Sequence, residues 1–181
     1  DVLPWSRVTD PRTGSSTYWR LTTVLPVVVM GLVAGARSVA DLEALTASMS
    51  AAARRWFRLA RKLPDTTARD LLVRLAPEEL RGILHAQIRS FHRQKALEPE
   101  GFRWGVVSMD GKSTSIRAWD QRYVQQQGAR GVVRTVTATL VSSPGCPCID
   151  ACPIPPATNE MGTYLDALRT LGYLATHRDR P

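Results

Sequence analysis

The chain has 181 residues, 44% of them hydrophobic and 22% charged, with a formal net charge of +8. That apolar fraction suffices for a packed core and excludes a disordered chain, and the length allows one domain, or one small domain with part of a second. The charge favours a polyanionic partner and is concentrated: eleven basic and four acidic residues lie between Ser50 and Lys95, a net of +7, while the remainder is close to neutral. Only Lys62, Lys95 and Lys112 are lysines among the 24 basic residues. Arginine's planar fork suits bidentate phosphate contacts, and arginine-rich coding from GC-rich DNA gives the same bias.

Residues 1–19 read as irregular, with Asp10-Pro11-Arg12 and Gly14-Ser15-Ser16 as loop signals. A helix is predicted over 21–34, almost wholly apolar and therefore buried. Its apolar run, 24–33, holds Pro26 and Gly31 and is too short to cross a bilayer. It also starts too late for a signal peptide. The first residue is Asp1 and both ends read as cut, so a fragment is expected.

Gly35 ends the first helix. Ser38 is the N-cap of the next, 39–49, with Asp41 as the acid of a capping box. A third helix, 51–61, spreads Arg54, Arg55, Arg58, Arg61 and Lys62 around its surface and keeps Trp56, Phe57 and Leu59 for packing. The break at 63–66 offers Asp65 or Thr66 as a cap for a helix over 67–75, with Leu71, Leu72 and Leu75 inward. Pro77, Glu78 and Glu79 then restart a helix through Leu80, Ile83, Leu84, Ile88 and Phe91. The last two helices suit a helix-turn-helix, or a hairpin that only packs.

At Glu98-Pro99-Glu100-Gly101 the texture changes, which divides the chain into 1–98 and 99–181. Strands are predicted over 104–109, 132–141 and 148–154, with a polar connection at 117–131 and a turn at 142–145. A helix over 161–171 packs through Tyr164, Leu165, Leu168 and Leu171 and is capped by Gly172. The cysteines, Cys146, Cys148 and Cys152, share one parity on a strand and so line one face. Their spacing also suits zinc, but no fourth ligand lies nearby in sequence. Three clustered cysteines fit reduced thiols in the cytosol better than a disulfide scaffold.

The most informative segment is 106–113, Val-Val-Ser-Met-Asp-Gly-Lys-Ser. An apolar strand ends on Asp110, Gly111 permits a sharp turn, and Lys112 offers a cation to an anionic substrate. A carboxylate at the end of a buried strand needs an ion pair or a metal. An ordinary Asp-Gly turn reads equally from the segment alone. Three strands and a helix, with an acid at the tip of the first strand, open an RNase H-like domain. The predicted fold class is therefore α+β: an N-terminal all-helical domain followed by an incomplete RNase H-like α/β domain of three strands and a helix.

The order of several short stretches resembles a bacterial insertion-sequence DDE transposase of the branch with an H-repeat-associated N-terminal domain. They are Asp10-Pro11-Arg12; Leu32 to Ser38; Asp65-Thr66-Thr67 with Leu71 and Leu72; Ala76-Pro77-Glu78-Glu79-Leu80; Met109-Asp110-Gly111-Lys112; and Thr158-Asn159-Glu160-Met161. The resemblance implies metal-dependent phosphodiester transfer on double-stranded DNA, the transposon ends, with Mg²⁺ or Mn²⁺ held by three carboxylates. Asp110 matches the first of these, as catalytic residue and metal ligand. Asp179 does not fit the second and the third has no match, so the chain is expected to bind metal weakly and to be inactive alone. Arg54, Arg55, Arg58, Lys62 and Lys112 are the expected DNA-binding residues, and Asn159 and Glu160 either support the site or cap the last helix. The resemblance also implies a cytoplasmic, nucleoid-associated protein, homodimeric at full length and with no membrane role. The alternative is a non-enzymatic basic DNA-binding module.

Overall fold

Helices fill the first half and an antiparallel sheet with a covering helix the second, an α+β arrangement. The computed structural model describes residues 3–12, 18–101, 103–115, 132–155 and 158–176. The connection predicted at 117–131 and Asp179 fall outside the described residues. The chain divides into two units, Asp1–Glu79 and Leu80–Pro181, so the change of texture at 98–101 lies within the second.

The first unit opens with a 3-10 turn, Trp5–Arg7. Helices α1 (Leu21–Val33), α2 (Val39–Ser48), α3 (Ala51–Phe57) and α4 (Asp65–Arg74) follow. Helix α5 (Pro77–Arg93) begins at the end of this unit. Its core is Val24, Leu25 and Val27 of α1, Leu42 of α2, Leu59 and Leu63 of the following loop, and Ala68 and Leu71 of α4. Helix α1 is not buried all round, as its composition suggested: Leu32 and Val33 are exposed. A helix packed on one side buries one stripe, however apolar the rest is.

Gly31 sits against the Leu42 side chain, and a β-carbon there would overlap it. Gly35 closes α1 at φ 88°, with Gly35 N–H donating to Leu32 O and Ala36 N–H to Gly31 O, the two bonds of a Schellman cap. Ser38 caps α2 by accepting from Asp41 N–H, while the Asp41 carboxylate accepts from Arg37 N–H. Ser50 caps α3 by accepting from Ala53 N–H.

The start of α4 differs from expectation. Pro64 occupies the N-cap position and no side chain of 64–66 caps the helix. The Glu43 carboxylate, from α2, accepts from Asp65 N–H at 2.9 Å instead. Beside it, fully buried Thr46 accepts from Leu63 N–H and donates to Glu43 O, both at 3.0 Å. A remote acid here does the work expected of a local one.

The second unit holds β1 (Val107–Ser115), β2 (Val132–Leu140) and β3 (Cys148–Pro153) in the order β1-β2-β3, both pairings antiparallel. Helix α6 (Glu160–Thr176) packs on β2 and β3. Segment 97–106 is tied to the β2–β3 turn: Ser142 O accepts from Glu100 N–H, Ser142 Oγ accepts from Val106 N–H, and Ser143 Oγ donates to Leu97 O. Strand β1 runs on through Asp110 and Gly111, where a turn was expected. Its nine-residue register with β-branched β2 outweighs the Asp-Gly turn preference.

Helix α6 likewise runs through Gly172, which lacks a positive φ. Its buried positions are Thr163 and Ala167, while Leu165 and Leu168, expected to pack, are exposed. The small pair lets the helix lie close to the sheet. A register shift at Ala138/Thr139 places Cys148 opposite Thr139 and Cys152 opposite Val136. The bulge thus puts these two cysteines on opposite faces, and Cys146 lies in the preceding turn at φ 44°. The shared cysteine face read from the sequence is not formed.

Candidate nucleic-acid interface and the Asp110 strand

The four expected DNA-contacting cations of the first unit separate into two kinds. Arg54 is half-buried and its Nη2 donates to Ala47 O at 2.6 Å, closing the end of α2. Lys62 pairs with Glu43, the acid that also holds the start of α4. Both side chains therefore serve the fold. Arg55 and Arg58 are exposed and, among the described residues, make no ion pair. Arg58 stands at φ 56° just past α3, where Arg58 N–H donates to Arg55 O and Leu59 N–H to Arg54 O. It occupies the left-handed cap position that glycine usually fills, and that conformation fixes where its side chain leaves the backbone.

Asp10-Pro11-Arg12 has a local structural role. Arg12 grips the Asp10 carboxylate through Nε and Nη2, at 2.9 and 2.6 Å, and also donates to Trp19 O. The Arg12 hydrogen bond holds the Asp10 carboxyl below its ordinary pKa.

In the second unit, Asp110 lies in the middle of β1, opposite Thr137, and not at a strand tip. Ser108, Asp110, Lys112 and Thr114 alternate onto one exposed face, across from Thr139, Thr137, Thr135 and Val133. Thr137 Oγ1 donates to the Asp110 backbone carbonyl at 3.4 Å, and Lys112 is solvent-exposed. Among the described residues Asp110 makes no ion pair.

Glu160 comes close to this segment from the other side. A β-carbon built on Gly111 would stand 2.5 Å from Glu160 Cδ. Gly111 and Asp110 face oppositely along the strand, so the two carboxylates are separated by the sheet. Asn159 caps α6, its Oδ1 accepting from Gly162 N–H at 3.0 Å.

The polar cluster not anticipated from the sequence is centred on Asp150. Its side chain is 1% exposed. Arg81 donates to it through Nε and Nη2 at 2.7 and 2.8 Å, and His85 Nε2 lies 2.8 Å from Oδ1. An ionised carboxylate only accepts, so His85 Nε2 carries the proton. Burial pushes the Asp150 carboxyl pKa up, and the Arg81 and His85 hydrogen bonds outweigh it, leaving the group far below the ordinary carboxylate value. Two sequence signals were present: an acid inside a strand otherwise short of charge, and a cation and an imidazole four residues apart on one helix face.

A three-carboxylate metal centre does not fit these residues. Among the described residues no group of three or more His, Cys, Asp and Glu side chains is placed to hold an ion. Asp110 stands alone, Glu160 lies across the sheet from it, and Asp150 is saturated by Arg81 and His85. No step is derived through a metal. Among the described residues, too, no helix is long and apolar enough to cross a membrane.

Residues 5–87 match the model of the DDE_Tnp_1-associated family, a domain found with DDE transposases. No curated protein and no solved structure matches the chain.

Proposed function

From a chain whose residues 5–87 form a DDE_Tnp_1-associated domain, we propose a transposase-related protein whose helical unit binds double-stranded DNA, the ends of a mobile element. The observation that carries the reading is the family match over the stretch that holds the exposed, unpaired Arg55 and Arg58. Arginines of this kind meet phosphates without first breaking an internal ion pair. Lys112, on the exposed face of β1, extends the basic character to the second unit.

Asp110 is the residue that strand chemistry would require, as the first of three carboxylates. The other two have no counterpart among the described residues, which favours binding without cleavage as the activity of this chain. The test is duplex binding and plasmid nicking by the whole chain with and without Mg²⁺ or Mn²⁺. Binding is expected to weaken steeply with salt and to need no divalent ion, and no nicking is expected. Metal-dependent nicking that disappears in Asp110→Ala would make the chain a nuclease and overturn the binding-only reading.

A further inference from the structure

We infer that Trp56, flanked by Arg55 and Arg58, is a stacking site for an unpaired nucleobase of a DNA end or single strand, with the two guanidinium groups on the adjoining phosphates. The inference rests on the reading that the helical unit binds DNA, and it adds which form of DNA that surface prefers.

Trp56 was expected to pack, yet 78% of its surface is in water. The residues that close the core beside it are Leu59 and Leu63. The indole is nonetheless held in place. Phe57 meets it edge to face, with ring centroids 4.6 Å apart and planes at 86°. On a helix a side chain leans over the preceding turn, which for Trp56 holds the exposed alanine Ala52. One ring face is therefore braced at its edge and little stands over the other.

Bases inside a duplex already stack on each other and offer no free face. A flat, open indole next to two unpaired cations matches a base that has left the stack, together with its phosphates. A protein partner with an apolar patch would satisfy the indole but would leave two arginines to be desolvated. The local excess of positive charge favours the polyanion.

The test compares the whole chain on a blunt duplex, on the same duplex with a short oligothymidine overhang, and on oligothymidine alone, alongside Trp56→Ala. The wild type is expected to bind the overhang duplex about tenfold more tightly than the blunt one. Trp56→Ala is expected to lose that preference while keeping blunt-duplex affinity, and a fluorescent purine in the overhang should be quenched by the wild type alone. Because Trp56 is exposed, the variant should melt like the wild type, which circular dichroism checks. Equal binding of blunt and overhang duplexes, or a preference retained in Trp56→Ala, overturns the inference and leaves duplex binding intact. No binding to any of the three overturns both.

Discussion

At the scale of single residues, Asp150 is where the fold has most to lose. Its carboxylate is buried and owes its ionised state to Arg81 and His85. Removing one member of such a cluster strands the others in a dry site, so Asp150→Ala is expected to cost about 3–5 kcal/mol in denaturant unfolding. The pH dependence has a definite sign. The folded-state pKa of Asp150 lies below its unfolded value. Its contribution is therefore complete above about pH 4 and is lost as pH falls further. The wild type should lose stability in that acid range more steeply than the variant. A cost below about 1 kcal/mol, or identical acid profiles, would show the cluster to be incidental. This part of the site was hard to read in the sequence because its members lie 65 and 69 positions apart. A buried carboxylate shows its need for a partner, but only the tertiary fold says which partner.

At the scale of elements, local signals were legible and distant ones were not. Ser38, Asp41 and Gly35 act within a few residues of themselves, and each does what its position implies. The start of α4 depends on Glu43, and the length of β1 depends on its register with β2, so local reading misplaced both. The faces of α3 and α6 were misassigned for a related reason. Apolar residue type marks what is able to pack, while Trp56, Leu165 and Leu168 remain exposed because no neighbour reaches them. The α1–α2 contact supplies a test of close packing. Alanine at position 31 would gain about 0.5–1 kcal/mol of helix propensity over glycine. Its β-carbon would overlap Leu42, which is buried, and overpacking of that kind costs about 1–3 kcal/mol. Gly31→Ala is expected to lower the melting temperature; a rise would show that the helices separate at little cost.

At the scale of the whole molecule, the family match and the concentrated positive charge fall on the same helical half. The order of helices and strands was legible because periodicity and β-branching are strong signals over long segments. The chemistry was less so. Asp110 was expected at a strand tip within a metal site, and it stands mid-strand and exposed, without the companions such a site requires. What the described residues support is contact with a polyanion. The most direct measurement is the salt dependence of blunt-duplex affinity for the wild type and for the Arg55→Glu/Arg58→Glu double variant. Each phosphate contact contributes about −0.9 to the slope of log affinity against log salt, so the variant should bind more weakly with a slope shallower by about 2. An unchanged affinity and slope, or a wild type that fails to bind duplex even at low salt, would contradict DNA binding through this helical surface.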